Sequence, residues 1–181
     1  MYWHSFWGHL RTITRHRHMV IRHCWKAGIF WQGLRHDLSK YSPTEFFQGV
    51  HYYQGNRSPN EAEREDLGYS LAWMHHKGCN RHHFEYWCDY NPVSKQVEPV
   101  QMPMRYLAEM FCDRVAASKI YKKEQYDQTC PLVYFQNSNA RKRGLLHPNT
   151  ASELMELLEI LAQHGEKVAF AELKKRVRQK N

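Results

Sequence analysis

Apolar positions recur every three or four residues along most of the chain, and sustained two-residue alternation is scarce. This pattern predicts helices and few strands. His9, Ile13, His16, Val20 and Cys24 form one stripe of a first helix, Ser5 to Lys26, that stops before Gly28. A short helix is expected from Ile29 to Leu38. Ser42, Pro43 and Glu45 then supply an N-cap, a first-turn proline and a capping box. Ser58, Pro59 and Glu61 repeat the device and open a helix expected to end near Lys77, with Gly78 as its C-cap. Cys79 to Pro99 reads as irregular or as carrying a short helix. Pro103 opens a long helix toward Lys123, whose inward stripe holds Tyr106, Met110, Asp113, Ala117 and Ile120. Gln136 to Pro148 is polar and basic and reads as a loop. Thr150 with Glu153 caps a further helix, stopped near Gly165, and Glu166 to Lys180 forms a basic terminal helix. The expectation is an all-α fold. It has a helical domain over residues 1–135 and, over 136–181, a basic loop with a C-terminal helical extension packed on it.

Composition narrows the class. At 181 residues with 42% hydrophobic positions, the chain is long and apolar enough for one domain with a real core, which excludes disorder. No apolar run approaches the roughly 18 residues of a membrane span. The opening Met1-Tyr2-Trp3-His4-Ser5 is not a secretory signal, and five cysteines without a CxxC pair predict a reducing, cytoplasmic setting. The formal charge of +8 fits anionic partners in a generic way. Trp3, Phe6 and Trp7 could form an apolar patch for a homodimer. The 13 histidines are spread without a run, which points to a site assembled from several elements.

His36-Asp37-Leu38-Ser39-Lys40 carries the first chemistry. Adjacent His and Asp on a helix lie about 100° apart and can lean toward one ion, with a donor set suited to Fe, Mn, Zn or Mg. Alone, the pair reads more simply as an N–H···carboxylate contact on a surface helix. His75, His76, His82 and His83 fall within nine residues, and a turn after Gly78 can fold the second pair toward His76. A solvated basic turn is the plain alternative, against which Trp73, Phe84, Tyr86 and Trp87 pull the segment inward. Asp113 on an inward stripe, with Glu109 one turn earlier, needs an ion or a salt bridge, for instance with Arg114 or Lys119. On the first helix His16 faces inward, and His18, about 200° away, faces outward. His23 faces inward but two turns further on. His18, His23 and His75 remain alternative ligands.

In this order, His16, His36-Asp37, His76, His82-His83 and Asp113 resemble the HD-domain metal-dependent phosphohydrolases. Ser39 stands where glycine is common in that superfamily's His-Asp-x-Gly-Lys form. More closely, roughly from His9 to Tyr134, the chain is similar to an uncharacterised bacterial and phage domain family. The likeness rests on its HDLSK stretch followed by Pro43 and Glu45, on NRHHFEYW from Asn80 to Trp87, and on EMFCD from Glu109 to Asp113. Some members of that family bear the label catalase, although nothing in these residues supports haem chemistry. The resemblance implies one or two divalent ions (Mn, Fe, Ni, Co, Zn or Mg). His16, His36, Asp37, His76 and Asp113 would be the primary ligands, with Asp37 bridging if there are two ions. His82 or His83 would hold the second ion. Lys40 and Arg81 would neutralise phosphate charge, and Glu85 would act beside the second-ion segment. The implied reaction is hydrolysis of a phosphoric ester, of a nucleotide or another phosphorylated small molecule. Two alternatives use the same residues differently. One is a di-iron, oxygen-activating oxidase on this scaffold. The other is a non-catalytic metal protein that binds nucleic acid through Arg141-Lys142-Arg143 and the Lys174 to Lys180 helix, a tail that lacks interleaved aromatics.

Overall fold

The computed structural model describes residues 2–180. It is built almost wholly of helices: α1 (Tyr2–Ala27), α2 (Phe30–Gly33), α3 (Pro43–His51), α4 (Pro59–Leu67), α5 (Leu71–Cys79), α6 (Met104–Lys122), α7 (Cys130–Asn137), α8 (Asn139–Lys142) and α9 (Pro148–Gln179). An antiparallel hairpin, β1 (Cys88–Asn91) with β2 (Gln96–Pro99), pairs Cys88 with Pro99 and Asn91 with Gln96. Met1 and Asn181, the outer limits of the two expected units, lie outside the described residues.

The centre is a three-helix packing of α1, α6 and α9. Val20 and Cys24 from α1, Leu107, Phe111 and Val115 from α6, and Leu154, Leu157, Leu161 and Leu173 from α9 are fully buried in one cluster. α3 covers the N-terminal half of α1, where Ile13, Phe46 and Val50 form a smaller core, and α5 packs in turn on α3. Gly33 lets α2 fold back onto α1, since a Cβ there would lie 2.5 Å from Cys24 Cβ.

The inward stripe from His9 to Cys24 is buried throughout, as periodicity predicts. Several local expectations are corrected. The Ile29–Leu38 helix ends at Gly33, and His36-Asp37 sits in the turn beyond it rather than on a helix. The Ser58–Lys77 helix is two helices. Gly68, at φ +80°, ends α4, and Ser70 opens α5 by accepting a hydrogen bond from Trp73 N at 3.0 Å. Gly78 lies inside α5, and Asn80 occupies the C-cap. Ser42 does cap α3, accepting from Glu45 N, but the Glu45 carboxylate closes no box because it points inward to other partners.

The hairpin within 79–99 has no apolar alternation to announce it, because its strands are largely exposed on both faces. The expected 136–148 loop contains the end of α7 and all of α8. At α9 the capping side chain is His147, which accepts from Asn149 N, while Thr150 Oγ1 accepts from Met102 N at 3.0 Å. The expected stop at Gly165 is a kink with φ 82° and ψ 172°, beyond which the helix continues.

Candidate metal centre

Four parts of the chain deliver the titratable cluster. α1 brings His16, the turn after α2 brings His36 and Asp37, α5 and the turn beyond it bring His76, His82 and His83, and α6 brings Glu109 and Asp113 one helical turn apart. The α2 turn is pinned to α1 by Arg17, whose guanidinium donates to Leu34 O at 2.5 Å and His36 O at 3.3 Å. Asp37 adopts a left-handed conformation, φ 54° and ψ 25°, which an aspartate tolerates better than a branched residue. The same turn is tied to the end of α5 by Asn80, whose amide donates to Ser39 Oγ and to His76 O, both at 2.8 Å.

Asp37 is the shared point. His16, His36, Asp37 and Asp113 form one group whose ligand atoms all lie within 4.8 Å of each other. Asp37, His76, His82 and His83 form a second such group, and His36, His82 and Glu109 a third. Around Asp37, His36 Nε2 is 3.2 Å from Oδ2, while His76 Nε2 and His82 Nε2 are 3.3 and 3.5 Å from Oδ1. His16 Nε2 lies 2.9 Å from Asp113 Oδ1, though without the direction of a hydrogen bond. Five buried atoms of this cluster have no hydrogen-bond partner: Nε2 of His16, His36, His82 and His83, and Oδ1 of Asp37. Buried polar atoms left unmatched are rare and costly, and these five belong to the two groups that share Asp37.

The other ring nitrogens are occupied. His36 Nδ1–H donates to Glu109 Oε1 at 2.9 Å, and His82 Nδ1 is 3.2 Å from the same oxygen. His76 and His75 each present Nδ1 to the Glu45 carboxylate at 2.7 Å. Gln32 Nε2 donates to the far oxygen of Glu109. A proton held on Nδ1 leaves the Nε2 lone pair free, and for His36, His76 and His82 that lone pair faces Asp37. Imidazole nitrogens and carboxylate oxygens together suit a borderline divalent cation.

Burial opposes charge on Asp37, but His36, Lys40 and His76 outweigh it and hold the carboxyl well below its ordinary range. Asp113 is lowered in the same way, burial being overcome by His16, His82 and His36. His36 is pulled down by burial and more strongly up by Asp37 and Glu109, to about 10. Burial dominates at His16 and His83, whose pKa values fall. The site therefore keeps its carboxylates ionised and His16 and His83 neutral, as ligation requires, whereas His36 and His76, both raised by the neighbouring carboxylates, would release their Nε2 protons as an ion binds.

Of the residues singled out in the sequence, His16, His36, Asp37, His76, His82, His83 and Asp113 converge. Lys40 Nζ donates to Asp37 Oδ2 at 2.6 Å, with 29% of its side chain still exposed. Arg81 is turned away, its guanidinium bonded to Tyr106 Oη at 3.2 Å and lying over the Tyr86 ring. Glu85 belongs to none of the three groups. His18 is exposed, and His23 donates from Nδ1 to Cys112 O at 3.1 Å. The salt bridges considered for Asp113 do not form, because Lys119 pairs with Glu166 and Arg114 lies over the Phe135 ring. The role of Glu45 was hidden, since its sequence position reads as a helix cap. Glu109 was visible as a carboxylate one turn from Asp113, but not its hold on His36.

None of the curated proteins and none of the solved structures matches the chain significantly. A family model does match, over residues 5–160, and its span includes every side chain of the cluster. Its description is a family of unknown function, DUF5662, and the chain belongs to that family.

Proposed function

We propose that the protein is a metal-dependent hydrolase of phosphoric esters, acting on an anionic phosphorylated small molecule or nucleotide. The observation that carries the reading is the set of five unpartnered buried atoms in the two ligand groups that share Asp37. The order of these residues along the chain, which resembles that of HD-domain phosphohydrolases, supports it further. A divalent ion bound there supplies Lewis acidity toward a phosphoryl oxygen and a nucleophilic water at neutral pH. Asp37, common to both groups, would help to hold an ion in either. Glu109 and Glu45 orient the imidazoles. Lys40 anchors Asp37 and, being partly exposed, can also meet the negative charge of a bound phosphoryl group. A protonated lysine has no lone pair, so it does not compete as a ligand.

The test joins elemental analysis of untagged protein to a phosphoester panel run with Mn, Fe, Ni, Co and Mg. The wild type is expected to hold one or two divalent ions and to turn over an ester. Asp37→Asn should lose metal and turnover together. Lys40→Met should keep metal and fold while losing turnover by about 10²-fold, or about 2.7 kcal/mol of transition-state stabilisation. Full activity in Asp37→Asn would overturn the mechanism. Bound iron with oxygen-sensitive absorbance and no ester turnover would move the reading to oxygen activation.

A further inference from the structure

The face of α1 opposite the cluster carries a pattern that the metal site does not use. Arg11, Arg15, His18 and Arg22 step by four, three and four residues and line one shallow open groove with Thr14 and Met19. Trp3 and Trp7 continue the same stripe at one end and Trp25 at the other, with 75%, 60% and 68% of their surfaces exposed. At 100° per residue these side chains fall within about 120° of arc. From Trp3 to Trp25 the track is about 33 Å long. Several surface cations elsewhere are paired, among them Lys119 with Glu166, Arg57 with Glu65 and Arg176 with Glu156. Among the described residues no ion pair forms at Arg11, Arg15 or Arg22.

We infer that this face of α1 binds a single strand of nucleic acid. The cations follow the phosphates, and the exposed tryptophans offer stacking surfaces to bases, the two components of sequence-tolerant single-strand binding. A second copy of the chain fits poorly, since a symmetric contact would set arginine against arginine. Phe6, expected to share a dimer patch with Trp3 and Trp7, is instead drawn inward onto Phe46, with ring centroids 5.1 Å apart. A bilayer also fits poorly. An interfacial helix presents a continuous apolar face, whereas the middle of this stripe is cationic and the apolar face of α1 is buried in the core.

A chain of contacts runs from the edge of the stripe round to the cluster. Thr14 Oγ1 is hydrogen-bonded to Tyr41 Oη at 3.0 Å, Tyr41 follows Lys40, and Lys40 is bonded to Asp37. Strand binding needs no metal and stands on the surface alone. Only the step from bound strand to substrate rests on the hydrolase reading.

The experiment is fluorescence anisotropy of labelled 20-nucleotide dT and rU strands with the full chain, in chelator, from 50 to 300 mM NaCl. A tight, salt-dependent complex with quenched tryptophan emission is expected. Arg11→Glu/Arg15→Glu/Arg22→Glu should weaken it at least 10²-fold and flatten the salt slope. The milder Arg11→Gln/Arg22→Gln should weaken it about tenfold. Trp7→Ala/Trp25→Ala should weaken it roughly tenfold with the slope retained. The control Lys175→Glu/Arg178→Glu, on the basic end of α9, should bind as wild type. Circular dichroism and metal content should be unchanged in all four variants. The inference is overturned if no strand binds, if only the α9 control loses binding, or if the α1 variants abolish self-association or anionic-vesicle binding instead. Strand binding by a wild-type protein that turns over no ester would count against the hydrolase reading alone.

Discussion

Two buried glutamates, Glu45 and Glu109, each address a pair of histidines through their Nδ1 atoms: His75 and His76, and His36 and His82. A carboxylate in that position fixes the ring tautomer and raises the basicity of Nε2. An amide has the same shape but carries no charge, and half of its head is a donor, which opposes the Nδ1–H. Glu109→Gln and Glu45→Gln are therefore each expected to weaken metal binding by about 10- to 100-fold, or roughly 1.4 to 2.7 kcal/mol, with the fold kept. Competition titration against a chelator measures this, and wild-type affinity in both variants would refute the orienting role. The inward phase of His16 and the outward phase of His18 were legible because phase is a local property of one helix. The hold of Glu45 on His76 was not legible, because it joins α3 to α5 across 31 residues of chain.

Helix α9 was expected as an extension, and its packing makes it part of the centre. The Phe170 ring lies 5.6 Å from that of Phe111 on α6 and 5.1 Å from that of His23 on α1, so one side chain beyond the Gly165 kink closes all three helices. Phe170→Ala should cost about 3–5 kcal/mol of stability in urea unfolding, the range for a large core ring removed without full collapse of the site. A peripheral tail would lose under about 0.5 kcal/mol. The kink is itself a constraint. At φ 82° and ψ 172° Gly165 occupies backbone space that residues with a Cβ rarely enter, and a Cβ there would meet Gln128 Oε1 at 2.9 Å. The stop signal was thus correctly placed in the sequence. Its outcome, a bend that keeps the second half on the core, depended on Phe170 and Leu173 finding apolar partners.

At the scale of the whole molecule, burial makes folding sensitive to acid. His9 and His23 lie outside the cluster, and burial pushes each down from 6.5 to about 4. Lys40 adds to the effect at His9, while at His23 the bond to Cys112 O opposes it in part. Their folded pKa values lie below the unfolded ones, so between pH 6.5 and 4 the unfolded chain binds more protons. The stability they confer is complete above pH 6.5 and is lost as pH falls toward 4. The slope is at most about 1.4 kcal/mol per pH unit for each histidine. Urea midpoints measured in chelator from pH 7.5 to 4 should fall below pH 6.5, and His23→Gln should reduce the slope. A flat profile would mean that these imidazoles are not desolvated as described.

That histidines gather near Asp37 was implied by the resemblance alone; what the sequence determined by itself was the helical class, the burial of one face of α1 and the inward place of Asp113. Each follows from periodicity or from residue types within a turn or two. Tertiary structure alone decided that Asp37 would sit in a left-handed turn shared by two ligand groups. It also decided that Arg81 would turn to Tyr106 and that Glu45 and Glu109 would hold the imidazoles. The Arg81, Glu45 and Glu109 contacts alone join side chains from 25 to 73 positions apart in the chain. No local pattern encodes such contacts, because their energy exists only once α1, α3, α5 and α6 have packed and excluded water from the groups between them.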